Sequence, residues 1–260
     1  MQTLSRDGVA LAYEEAGQGS PPMLFVHGWA CNHTHFQAQV AHFSRAHRTI
    51  AVDLRGHGQS DSPRQEYSMA GFVDDLAWLC QQLGVARPVV VGHSMGGVIA
   101  LKLAAHYPEL PSAIVMIDGG TRTLDGPALA DPMLALAAVM RDGPDLQPIR
   151  ETIGGMFLPQ SDPALRARVT DEMLSTPRHV MASAWEQLRM VNGGDDARAC
   201  RVPALFVNAS PWRPELARLR ELCPQVVIGQ TVGAGHFTML EVPEQVNAMI
   251  ERFLLLNGLT

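Results

Sequence analysis

The chain has 260 residues, 47% of them apolar and 18% charged, which supplies a large core and leaves little room for disorder. A net charge of −6 and a pI of about 5.9 argue against nucleic acid or an anionic membrane as main partner, since both need a basic face. There is no run of 18 apolar residues, so no segment is expected to span a bilayer.

The opening stretch "MQTLSRDGVALAYEEAG" lacks the basic start and continuous apolar segment of a signal peptide. It reads instead as a strand, a "DG" turn and a second strand. Cys31, Cys80, Cys200 and Cys223 are scattered with no CxxC, the pattern of reduced thiols, so a cytoplasmic location is expected. Then come "MLFVHG" (23–28), "TIAVDL" (49–54), "PVVVGH" (88–93) and "AIVMID" (113–118), continuous apolar runs suited to strands buried on both faces of a parallel sheet. Helical patterns near 34–44, 69–83 and 95–107 separate them, giving β-α-β order with right-handed crossovers.

From about Gly119 to Ala199 the buried-strand pattern stops, and Met-, Leu- and Ala-rich helical stretches replace it. Strands return at "PALFVNA" (203–209) and "QVVIGQTV" (225–232), followed by a last helix near 243–257. The expected organisation is one α/β core formed by residues 1–120 and 200–260, with residues 121–199 inserted as a helical cap.

In "VVVGHSMGGVIALKLA" (89–104) the chain must pass from buried strand to helix within about two residues at Ser94, which demands a strained, positive-φ backbone. Gly92 and Gly96 lack the β-carbons that would collide across such a turn. This is the G-x-S-x-G nucleophile elbow in its strand–turn–helix setting, with the serine hydroxyl at a helix N-terminus. A serine needs a base, and His236 in "GAGHF" lies between the last strand and the final helix, at the sheet edge that also carries the elbow. His27 and His93 read as local packing groups. The H-x-H of "CNHTHF" lacks the further ligands of a metal site. An oxyanion needs two donors: the N–H of Met95 directly after the serine, and the N–H of Trp29 in "HGW" after the strand at 23–28.

With "HGW" at 27–29, "DLRGHGQSD" at 53–61, "GHSMGG" at 92–97 and "GAGHF" at 233–237, the chain resembles the α/β-hydrolase superfamily over nearly its whole length. The resemblance implies an eight-stranded, mostly parallel sheet flanked by helices, a helical cap, and a Ser–acid–His triad without cofactor. It assigns Ser94 as nucleophile, His236 as base, and Trp29 and Met95 as oxyanion donors. Asp53 and Arg55 are expected to tie down a loop.

One departure stands out. The family's usual acid follows the seventh strand, where this chain has Asn208, Ser210 and Trp212 but no aspartate. Asp118, ending the strand after the elbow helix and 24 residues beyond Ser94, is the leading substitute. Glu215 is next, and a neutral partner such as Asn208 or Ser210 is a further possibility. Asp195 and Asp196 precede the seventh strand and belong to the opposite edge.

Apolar residues of the inserted segment, among them Met133, Leu134, Met156, Met181, Trp185 and Met190, suit an adaptable pocket. The expected activity is therefore hydrolysis of small, uncharged carboxylic esters or lactones by water through an acyl-enzyme on Ser94. A serine at the elbow argues against the aspartate chemistry of haloalkane dehalogenases and epoxide hydrolases. A cofactor-independent, quinolone-cleaving dioxygenase on the same fold is the second reading, and a hydrolase-fold receptor for a small ligand is the third.

Overall fold

Eight strands form one sheet in the order β1-β2-β4-β3-β5-β6-β7-β8 in the computed structural model, which describes residues 1–119, 124–126, 135–209 and 215–260. The strands are β1 (Gln2–Arg6), β2 (Val9–Ala16), β3 (Met23–Val26), β4 (Thr49–Val52), β5 (Val89–His93), β6 (Ala113–Ile117), β7 (Ala204–Asn208) and β8 (Val226–Gln230). The β1–β2 and β2–β4 pairings are antiparallel, and the other five are parallel. Asp7 (φ 52°) and Gly8 (φ 78°) make the β1–β2 connection a two-residue turn of the kind that "DG" announces.

Strands β3 to β7 are buried at every position, which is why each reads as an unbroken apolar run. β8 differs. It lies at the sheet edge with Val227 half exposed, and its ladder is shorter than the apolar stretch 225–232 suggests.

From β3 the chain steps through α1 (Gln37–Phe43) to β4 on one side. From β4 it passes through α2 (Met69–Gln82) to β5 on the other side of β3. Right-handed crossovers running in opposite directions place their helices on opposite faces, so the chain reverses direction at β3 and opens a crevice beyond its C-terminal end. α3 (Met95–His106) follows β5, and α11 (Pro243–Leu256) packs against α1 and β7.

Between β6 and β7 the described residues form five helices: α4 (Leu136–Asp142), α5 (Gln147–Gly154), α6 (Pro163–Leu174), α7 (Arg178–Arg189) and α8 (Gly193–Ala199). α8 lies against α3, where Asp196 accepts from Lys102 Nζ at 3.2 Å. α9 (Glu215–Leu222) and the short α10 (Thr238–Glu241) complete the chain's helices as described. Met133, Leu134, Ser210 and Trp212 lie outside the described residues.

Candidate active site

The turn at Ser94 has φ 53° and ψ −113°, outside even the left-handed helical well. Close packing enforces it. A Cβ on Gly92 would fall 2.0 Å from the Gly96 carbonyl oxygen, and one on Gly96 would fall 2.1 Å from that of Val26. Ser94 occupies the N-cap position of α3, where a serine usually bonds back to the helix, yet its hydroxyl makes no capping bond. It is half-buried among fully buried neighbours. Met95 opens the helix, so its N–H has no carbonyl four residues back to bind.

Three segments converge on this serine. The Ser94 N–H donates to Ile117 O at 2.8 Å, and the Asp118 N–H to Val207 O at 2.9 Å, so both residues prolong sheet ladders at the C-terminal edge. A Cβ on Gly28 would lie 3.2 Å from Ser94 Cβ, and one on Gly119 would lie 2.0 Å from Ser94 O. Five non-glycine residues have positive φ among the described residues, and three of them, Ala30, Ser94 and Asp118, sit at this edge. Backbone strain of that kind gathers where function constrains the chain.

Asp118 is 1% exposed, and its carboxylate is met from two sides. Oδ2 accepts from His236 Nδ1 at 2.7 Å, while Oδ1 accepts the Ala209 N–H at 3.1 Å. The backbone after β7, where the family's usual acid would stand, thus holds the aspartate that β6 supplies. With Nδ1–H committed to Asp118, the half-buried His236 imidazole keeps its lone pair on Nε2. Glu215 is instead an exposed residue at the start of α9. Asn208 is wholly buried, with its amide donating to Ala209 O. Asp195 and Asp196 lie on α8.

The remaining histidines of the core loops are structural. His27 Nδ1–H donates to Gly28 O at 2.7 Å, and Nε2 accepts the Leu54 N–H at 3.0 Å. Burial, reinforced by neighbouring His57, drives its pKa down to about 3. Burial likewise takes His57 down to about 4. His93 Nε2–H donates to His236 O at 2.9 Å, and burial holds it well below 6.5, so a neutral ring packs 4.7 Å from the His236 ring.

Asp53 collects the N–H of His33 at 2.7 Å, His33 Nδ1–H at 2.9 Å and the N–H of Gln59 at 2.9 Å. Burial pushes that carboxyl up, but the His33 bonds, the neighbouring His27 and the Gln59 N–H together outweigh it and leave it below its ordinary value. Arg55 forms a bidentate pair with Asp75 on α2 at 2.8 and 2.7 Å. Both residues secure their loop.

Sequence reasoning missed the side-chain role of Trp29. Its Nε1–H donates to Met181 O on α7 at 2.9 Å, and its ring packs 4.7 Å from that of Trp185. Met181 and Trp185 are buried, whereas Met190 is half exposed. It also missed His35, whose Nε2 meets Glu172 on α6 at 3.1 Å. Partners 137 positions apart leave no local signal.

A family profile for the alpha/beta hydrolase fold matches residues 21–149. A thermophilic esterase of Thermogutta terrifontis, solved with malate bound, superimposes with a TM-score of 0.87 at 28% identity, covering 99% of each chain. The chain belongs to the α/β-hydrolase superfamily.

This α/β-hydrolase is also 29% identical over 261 residues to the 2-(acetamidomethylene)succinate hydrolase of Mesorhizobium japonicum, covering 95% of its own length and 92% of the relative's. An N-acyl homoserine lactone degrading enzyme superimposes with a TM-score of 0.84 at 25% identity, covering 97% of this chain and 100% of that one. The first curated relatives are 36% identical over 118 residues, and the chain spans about a third of their length. Human and mouse epoxide hydrolases match to the same partial extent, over 114 residues. No helix among the described residues is long and apolar enough to cross a membrane, and all four cysteines are buried and free.

Proposed function

We propose that this α/β-hydrolase cleaves small carboxylic esters or lactones through an acyl-enzyme on Ser94, with residues 121–199 acting as a cap over the site. The observation that carries this reading is the Asp118–His236 bond at the sheet edge that also bears the strained, uncapped Ser94. His236 Nε2 takes the Ser94 proton as Oγ bonds to the carbonyl carbon, and the carbonyl π electrons move onto oxygen. The N–H groups of Trp29 and Met95 receive that oxyanion. Collapse breaks the bond to the alcohol oxygen, which leaves with the proton from His236. Water then repeats the sequence and frees the acid. A hydroxyl rather than a carboxylate at the elbow favours acyl transfer over epoxide opening. The esterase and lactone-degrading neighbours support the substrate class.

The test is covalent. A fluorophosphonate should add to Ser94, located by mass spectrometry of the digested protein. Ser94→Ala should lose both the adduct and ester hydrolysis while keeping the circular dichroism of the parent. Full ester turnover in Ser94→Ala would sink the reading.

The acid's place after β6 also suits the second reading, a cofactor-independent dioxygenase with a histidine base. Turnover of an aryl quinolone that stops under anaerobic conditions, with no phosphonate adduct at Ser94, would select it.

A further inference from the structure

The loop that carries His236 has little of its own to hold it. Residues 233–235 are Gly-Ala-Gly, with Gly233 at φ 77°, so the buried Ala234 methyl is the one side chain that packs to hold them. Asp118 bonds the imidazole at Nδ1 and the His93 ring packs 4.7 Å away, but the ring still moves with its backbone if that drifts.

His93 holds the His236 carbonyl at 2.9 Å, and the turn between α5 and α6 holds the N–H side of the same residue. The His236 N–H donates to Met156 O at 2.9 Å. Gly235 lies so close to that turn that a Cβ would fall 2.6 Å from Met156 O and 3.1 Å from Phe157 Cα. The Phe157 and Phe237 rings stack at 4.8 Å.

One carboxylate spans the junction. Glu241, the last residue of α10, is half-buried. Its Oε1 accepts the Gly235 N–H at 2.9 Å, and its Oε2 accepts the Ser161 hydroxyl. Ser161 Oγ in turn accepts the Leu158 N–H at 3.0 Å, closing the 158–161 turn. Gly235 is buried, so losing Glu241 would leave its N–H without a partner, and the loop would have to move to find one.

We propose that Glu241 is a positioning residue that latches the His236 loop to the Leu158–Ser161 turn, so that His236 is poised for proton transfer only while that turn is docked. The inference rests on the reading of His236 as the base. It makes the inserted segment part of the proton-transfer machinery as well as a cover.

Glu241→Ala should lower kcat toward a p-nitrophenyl ester by about 10²-fold with KM within about twofold, because the base is displaced while the acyl pocket is not. Glu241→Gln should recover most of that loss, since its carbonyl oxygen still accepts the Gly235 N–H. Ser161→Ala should cost about tenfold in kcat. The double variant Glu241→Ala/Ser161→Ala should be no slower than Glu241→Ala, as for two ends of one contact. Should Glu241→Ala fail to fold, Glu241→Gln and Ser161→Ala carry the same comparison.

Wild-type kcat in Glu241→Ala and Ser161→Ala, together with a lowered melting temperature, would reduce the contact to a structural tie and overturn the proposal. Phosphonate labelling separates that failure from one of the underlying reading. If the parent takes no label at Ser94, the serine mechanism falls and the latch with it. If the parent is labelled and both variants turn over at its rate, only the latch is wrong.

Discussion

An imidazole presents a lone pair at Nε2 only while its proton sits on Nδ1, and the Oδ2 atom of Asp118 is what faces Nδ1 here. Substituting Asp118 by Asn shows what the charge contributes. The Asn oxygen can still accept the Ala209 N–H in place of Oδ1, which leaves the amide NH2 facing His236. The ring must then accept at Nδ1 and carry its proton on Nε2, the wrong atom for a base. Asp118→Asn should therefore fold normally and lose about 10²–10⁴-fold in kcat for ester hydrolysis. Steady-state kinetics on a well-folded variant decides the matter. Near-parental kcat would move the role to Glu215, which is exposed on α9, or to a neutral partner such as Asn208 or Ser210.

At the scale of elements, α7 is one of the helices that tie the inserted segment to the core, beside α6 and α8. Met181 and Trp185 on it meet Trp29, Ser183 Oγ accepts the Tyr67 N–H at 2.9 Å, and Thr176 just before it donates to Ala30 O at 3.2 Å. Trp185 is 4% exposed and packs against Trp29 in the loop after β3. Trp185→Ala should lower the unfolding free energy by about 3–5 kcal/mol in urea titrations, the usual cost of deleting a buried indole. A loss below about 1 kcal/mol would mean that α7 docks through its other contacts, without a contribution from the Trp185 ring. Such ties mark the limit of what the sequence discloses. The buried strands and the elbow were legible because sheet burial and tight turns impose a pattern on neighbouring residues: "VVVGHS" states its own environment. The apolar runs overreached the ladders by one or two residues, as at His27, where a histidine bonded to its own loop continues the pattern past Val26. Asp118 could be ranked from topology, because adjacent strand ends must be close. Glu241 and Ser161, 80 positions apart, meet only after α5 and α6 have docked, and no periodicity encodes that.

For the whole molecule, buried histidines of two kinds set how stability varies with pH. His27, His57 and His93 have folded pKa values depressed by burial, to about 3, to about 4 and well below 6.5. Below pH 6.5 the unfolded chain takes up protons that these rings refuse in the fold, so stability falls as the pH drops. His35 is of the opposite kind. Burial pushes it down, but the adjoining Cys31 sulfur and the Glu172 carboxylate overcome this and raise it to about 9. Its protonated form therefore favours the fold. That stability is fully present below 6.5 and is lost as pH rises through 9. Each such proton is worth about 1.4 kcal/mol per pH unit within its window. Three rings act on the acid side and one on the alkaline side, so stability should peak near pH 6.5, with a steeper acid limb between 4 and 6.5 and a shallower alkaline limb ending near 9. Since His35 precedes α1 and Glu172 lies on α6, the share of the alkaline limb that Glu172 contributes, beside that of Cys31, reports on the contact between the inserted segment and the core. Urea unfolding at half-unit pH intervals should show His35→Asn without the alkaline limb, and Glu172→Gln with a limb that ends below pH 9. An alkaline limb unchanged in His35→Asn would assign that loss of stability to some other group.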